Sequence, residues 1–156
     1  MYQAPLIRAA LLAAAPVLIL GCVSVDVTKQ GGASPSSAAP VKAVYHLTAG
    51  VDEAQRALGN VRNHLSADPT AKIVVVTNGN GIEFLLDGAK DRNGNPFDAS
   101  VQELKTRGVD FRVCNNTLNT RKIDRSKVIP EASIVPSGVA EAARLQAREG
   151  FVYLRP

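Results

Sequence analysis

The sequence predicts an α/β fold: a three-layer α/β/α sandwich with a mostly parallel sheet of about five strands. Three observations predict it. Short β-branched runs alternate with segments of helical period from about residue 41 onward. The run Ala71–Thr77 (AKIVVVT) is apolar without alternation, as suits a parallel strand buried on both faces. The segments joining the runs carry helices, and right-handed crossovers of that kind place helices against a sheet.

The elements follow in order. Val41–Leu47 (VKAVYHL) reads as the first strand, bounded by Pro40 and by Thr48-Ala49-Gly50. Val51, Ala54, Leu58, Val61 and Leu65 recur at spacings of three and four, which marks an amphipathic helix with Asp52, Glu53, Gln55, Arg56 and Arg62 facing away; Asp68-Pro69 stops it. Ala71–Thr77 is the second strand and breaks at Asn78-Gly79-Asn80-Gly81, a tight turn with free backbone N–H groups. A helical turn over Ile82–Leu86 and a polar loop over Asp91–Pro96 precede Ser100–Glu103, which has the form of a capping box for a helix ending at Gly108. Val109–Val113 is the third strand and ends on Cys114. Asn115–Arg125 is loop with a short helix, Ala132–Val135 the fourth strand, Val139–Glu149 a helix capped by Ser137 and stopped by Gly150, and Phe151–Leu154 the last strand.

Ahead of this domain lies a different kind of sequence. Residues 1–21 carry one charge, Arg8, and then an apolar stretch shorter than the ~20 residues a spanning helix needs, which fits a secretory signal. The stretch ends in Ile19-Leu20-Gly21-Cys22, which resembles a bacterial lipobox with cleavage before Cys22 and diacylglycerol on its thiol. Val23 in place of Asp, by resemblance to Gram-negative lipoproteins, directs the product to the periplasmic face of the outer membrane. Residues 22–40 are rich in Ser, Gly, Ala and Pro and read as a lipidated flexible tether, leaving 41–156 as the folded domain. The membrane is thus an expected partner, through the lipid on Cys22.

The 156 residues carry 18 Lys and Arg against 14 Asp and Glu, a net charge of +4, and processing removes Arg8 from that excess. No basic run exceeds Arg121-Lys122 and no aromatic residue interleaves it, so nucleic acid is not an expected partner. Asn78–Gly81 lacks both the GxGxxG spacing and the GK[ST] of a phosphate loop, and the two His and two Cys show no metal-ligand spacing. Neither a cofactor nor a metal is expected. His64, near a helix C-terminus, reads as a solvated residue that complements the helix dipole.

In an open α/β sheet, sites form at the carboxyl ends of the strands. Those ends hold His46-Leu47-Thr48, Asn78-Gly79-Asn80-Gly81, Cys114-Asn115-Asn116-Thr117 and Pro136-Ser137-Gly138, which gives Cys114 as the candidate reactive residue and His46, Asn78, Gly79, Asn115 and Ser137 as candidate binding residues. With Cys22 alkylated, Cys114 has no intramolecular partner. It is then a buried small hydrophobe, a site of intermolecular pairing or a reactive thiol, and backbone N–H groups at the strand end would favour the last by lowering its pKa.

Val44–Leu47, Ile73–Gly79 (IVVVTNG), Phe111–Leu118 (FRVCNNTL), Val128-Ile-Pro130, Ile134–Val139 (IVPSGV) and Leu145–Tyr153 occur in an order that resembles the DsrE/DsrF-like family over residues 41–156. The resemblance implies a DsrEFH-like fold, homo-oligomers that are trimers or hexamers, and a sulfurtransferase-like role in which a cysteine carries sulfur as a persulfide between a donor and an acceptor protein. Cys114 is the position that would inherit that role. The sulfur-relay members work in the cytoplasm, whereas this chain carries an export signal. The alternative is a non-catalytic oligomeric module for ligand binding or assembly, with Cys114 structural.

Overall fold

The computed structural model describes residues 39–156; the expected signal peptide, Cys22 and the tether up to residue 38 lie outside the described residues. Five strands, β1 (Lys42–Leu47), β2 (Lys72–Thr77), β3 (Asp110–Cys114), β4 (Ala132–Val135) and β5 (Val152–Leu154), form one sheet in the order β4-β3-β2-β1-β5. Every pairing is parallel. Helices α1 (Gly50–Ala67), α2 (Asp98–Thr106), α3 (Asn115–Arg121) and α4 (Gly138–Glu149) alternate with the strands, and a 3-10 helix spans Gly79–Leu85.

The strand order and the handedness rule together fix the layers. From β1 to β4 the chain steps across the sheet in one direction, so right-handed crossovers put α1, α2 and α3 on one face. The return from β4 to β5, beside β1, reverses direction and sends α4 to the opposite face. The core divides accordingly. Tyr45, Leu47, Val75, Phe111 and Val113 meet Leu58 and Val61 of α1, Leu104 of α2, Leu118 of α3 and Phe84 of the 3-10 helix. On the other side Val44, Val74 and Val76 meet Leu145 of α4 and Phe151. Burying each of these large side chains contributes about 1.5–3 kcal/mol. Phe84 anchors the larger cluster, edge-on to Phe97 at 5.7 Å and to Phe111 at 6.3 Å between ring centroids.

Local sequence signals hold at α4, where Ser137 Oγ accepts from Ala140 N at 3.4 Å and Gly150 closes the helix at φ 73°. Three expectations need correction. Glu53, expected to face solvent, is buried, because Oε2 accepts from the Thr48 and Ala49 N–H groups at 2.5 and 2.6 Å and so serves the unpaired donors that open α1. The capping box at Ser100 does not form: α2 begins at Asp98, and Glu103 instead pairs with Arg62 of α1 at 2.6 Å and with Arg107 at 3.3 Å. His64 is not simply solvated, since its Nδ1 lies 3.1 Å from the buried Tyr45 hydroxyl.

The run Asn78–Gly81, expected as a tight turn, starts the 3-10 helix, and it lies hard against the end of β1. A Cβ on Gly81 would overlap the Leu47 carbonyl and stand 2.7 Å from Thr48 N, all of it backbone that cannot yield. Gly81→Ala is therefore expected to destabilise the domain by about 2 kcal/mol or more in urea unfolding. A loss below about 0.5 kcal/mol, the range of a neutral surface change, would contradict this packing.

Candidate functional site

The reversal that places α4 alone on its face also makes a crevice. The chain leaves β3 toward the face of α3 and leaves the neighbouring β4 toward the face of α4, so the two exits part above the sheet. Such a switch point, at the carboxyl ends of parallel strands, is where α/β sheets form binding sites. Here it opens a cavity of about 480 Å³. Asn78, Gly79 and Asn80 line it from the end of β2, Ser137 and Val139 from the start of α4, and Cys114 from the end of β3. Asn116, Thr117, Thr120 and Arg121 complete it from α3.

Cys114 is the last residue of β3 and the N-cap of α3. It is a free thiol, 4% exposed. Burial pushes the thiol pKa up, but the Gly138 N–H, the Thr117 hydroxyl and the Thr117 and Asn116 N–H groups outweigh that and bring it below the ordinary value. The Cys114 side chain makes no capping hydrogen bond, and the nearby donors lower the pKa by favouring the charged thiolate over the thiol. Two of them belong to the second and third residues of α3, the positions whose N–H groups an N-cap side chain normally satisfies.

Neighbouring contacts aim the other two donors. Thr117 Oγ1 accepts from Gly79 N at 3.0 Å, which occupies an oxygen lone pair and leaves the hydroxyl proton for the sulfur. Gly79 reaches that position at φ 57°, where a Cβ would lie 3.2 Å from Thr48 O. Gly138 brings its N–H to the thiol by close approach: a Cβ there would lie 2.9 Å from Thr77 O and 3.3 Å from Cys114 Cβ. At the rim Arg121 donates to Glu83 Oε1 at 3.0 Å and to Gly79 O at 3.4 Å, so its charge is largely matched.

Of the candidate residues, Cys114, Asn78, Gly79 and Ser137 come together in this cavity. His46 stands behind it, with Nε2 2.7 Å from Asn78 Oδ1 and Nδ1 3.0 Å from the Tyr153 hydroxyl. Asn115 turns away: it lines a separate cavity of about 150 Å³ with Arg125, Ile134 and Pro136, and its buried Oδ1 has no hydrogen-bond partner. As the first residue of α3, it projects past the cap that its two successors face. The contributions of Thr117, Arg121 and Tyr153 were not among the candidates. Thr117 had a legible signal, three residues beyond a residue that ends a strand and begins a helix; Tyr153 had none, because its place follows from β5 lying beside β1. Among the described residues no group of three or more His, Cys, Asp and Glu converges to hold a metal ion.

Fold and site define the class: a small parallel α/β domain with one cysteine at the switch point, its thiol pKa brought below the ordinary value by neighbouring N–H and hydroxyl groups. The DsrE/DsrF-like family matches residues 42–155, and the chain belongs to that family. Among solved structures it is similar to a protein of unknown function, MTH1491 from Methanobacterium thermoautotrophicum, at 28% identity and a TM-score of 0.67, covering 74% of this chain and 99% of that one. It also shares its fold with the ychN protein from E. coli, at 13% identity and a TM-score of 0.57, covering 75% of this chain and 100% of that one. No curated protein matches it.

Removing the Thr117 hydroxyl should raise the thiol pKa. In Thr117→Val, ultraviolet titration of the Cys114 thiolate is expected to shift upward by about one unit, the equivalent of one lost hydrogen bond to a charged group; an unchanged titration would contradict the assignment. A linked effect follows in stability. Because the folded thiol pKa lies below the unfolded one, the folded state binds fewer protons between the two values, so stability rises with pH through that window and is lost as pH falls through the folded pKa. Cys114→Ser is expected to abolish this rise in urea unfolding across the same pH range; a rise of equal size in the variant would refute it.

Proposed function

We propose that Cys114 is the nucleophile of a sulfurtransferase-like relay and carries sulfur as a persulfide. The observation that supports this is the donor set around Sγ, which brings the pKa of a nearly buried thiol down rather than up. In the step, the Cys114 thiolate attacks the outer sulfur of a donor persulfide, R–S–SH. The new S–S bond forms on Cys114, the donor S–S bond breaks, and RS⁻ leaves with the electron pair, so no external oxidant is needed. The same N–H groups that hold the thiolate stabilise negative charge on the carried sulfur, and the cavity leaves room for the acceptor's thiolate to attack in turn. Cys114 needs no second cysteine in this chain, because the acceptor completes the transfer.

The reading includes an address and an assembly. Cleavage before Cys22 and lipidation of its thiol would hold the domain on the periplasmic face of the outer membrane. Self-association through α4 is supported by its outward face, where Ala140, Ala143 and Ala147 lie beside a Val139 that is 60% exposed.

The 4% exposure of Cys114 favours a second reading, in which the cavity binds an anion or small molecule without covalent chemistry and the cysteine packs. Mass spectrometry separates the two. After incubation with a low-molecular-weight persulfide, the folded protein is expected to gain one sulfur atom on the Cys114 peptide, removable by a thiol reductant and absent in Cys114→Ser. No gain on the folded protein, with a gain after unfolding, would favour the packing role and overturn the relay. The anchor is tested by fractionation: Cys22→Ala is expected to move the protein from membrane to soluble fraction, and unchanged partitioning would reject lipidation.

A further inference from the structure

Asn78 and Cys114 flank Gly138: a Cβ built on that glycine would lie 3.2 Å from Asn78 Cβ and 3.3 Å from Cys114 Cβ. Asn78 lines the same cavity as Cys114, and what its amide offers there depends on which way it is turned, since its oxygen only accepts and its nitrogen only donates. Oδ1 is 2.7 Å from His46 Nε2, so Nε2 carries a proton and donates. A neutral imidazole has a single N–H, so Nδ1 must accept, and the group 3.0 Å from it is the Tyr153 hydroxyl, which can donate. The two rings pack edge to face, 5.7 Å apart at 78°. His46 is 9% exposed. The chain Tyr153→His46→Asn78 thus runs in one direction and leaves Asn78 Nδ2 free to donate.

We infer that His46 and Tyr153 are positioning residues for the Cys114 site: through the imidazole tautomer they turn the Asn78 NH₂ group into the cavity, so that it selects anionic over neutral ligands. The inference rests on the reading of Cys114 as a reactive thiol. Without the tyrosine hydroxyl the Nδ1–H tautomer becomes available. Its bare Nε2 draws the Asn78 NH₂ toward itself and leaves Oδ1 facing the cavity, an acceptor opposed to an anion. With the Gly138 and Asn116 backbone N–H groups fixed there, Asn78 is a member of the set whose polarity can reverse.

Two reagents of similar size read this polarity. Iodoacetate bears a carboxylate and iodoacetamide is neutral; both are attacked by the same thiolate, so the ratio of their rates on the Cys114 peptide of the full-length protein cancels any change in thiolate fraction. Tyr153→Phe and His46→Leu are each expected to lower the iodoacetate-to-iodoacetamide ratio by roughly tenfold, the worth of one hydrogen bond to a charged group. His46→Gln, whose side-chain NH₂ stands in for Nε2–H, is expected to restore it. An unchanged ratio in Tyr153→Phe and His46→Leu overturns the inference while leaving Cys114 a reactive thiol. Failure of Cys114 to react with either reagent until the protein unfolds rejects the relay and this inference together. Should the variants fail to fold, the nitrogen chemical shifts of His46 in the unmodified protein decide: the neutral ring is expected as the Nε2–H tautomer, and the Nδ1–H tautomer overturns the inference.

Discussion

Right-handed crossover is the constraint on which the rest of this molecule depends. Four strands laid down in sequence put three helices on one face, and the fifth strand's position beside β1 forces the chain back across the sheet by the other. That single reversal covers the second face of the sheet with α4 and parts the exits of β3 and β4. The crevice is therefore a product of topology, and the residues that fill it are those that happen to end β2 and β3 and begin α3 and α4.

The site then resolves a conflict between burial and charge. A thiol that is 4% exposed would ordinarily be held neutral by the loss of hydration. Four donors reverse the sign, and each requires local backbone geometry to do so. Gly138 lacks the Cβ that would strike Thr77 O, Gly79 accepts a positive φ so that its N–H can orient the Thr117 hydroxyl, and α3 begins without a spacer after β3. The glycines of this site serve close approach rather than flexibility. A second layer stands behind them, where Tyr153, His46 and Asn78 join β5, β1 and β2 into one hydrogen-bonded chain that ends at the cavity.

Much of the architecture was legible because its signals are local. The uninterrupted apolar run of β2, the period of α1 and the Ser137 and Gly150 boundaries of α4 each follow from side-chain chemistry over a few residues. The rim of strand ends was legible for the same reason, and it supplied Cys114, Asn78, Gly79 and Ser137. What was not legible depends on partners distant in the chain. Glu53 looked like one more charge on a solvated face until the end of β1 supplied two unpaired N–H groups. Ser100 and Glu103 matched a capping box, but Arg62, forty-one residues away, offered the carboxylate a charged partner instead. Asn115 shared the rim in sequence yet faces a different cavity, because a helix that starts at once turns its first residue outward.

The donors at the folded switch point make Cys114 a stronger acid than the same cysteine in the unfolded chain. The pH dependence of its iodoacetamide alkylation, followed on the Cys114 peptide in folded and in urea-unfolded protein, measures this directly. The folded midpoint is expected to lie below the unfolded one, near pH 8.5 for a free thiol. A folded midpoint at or above the unfolded value would mean that burial outweighs the donors and that the switch point does not activate the thiol.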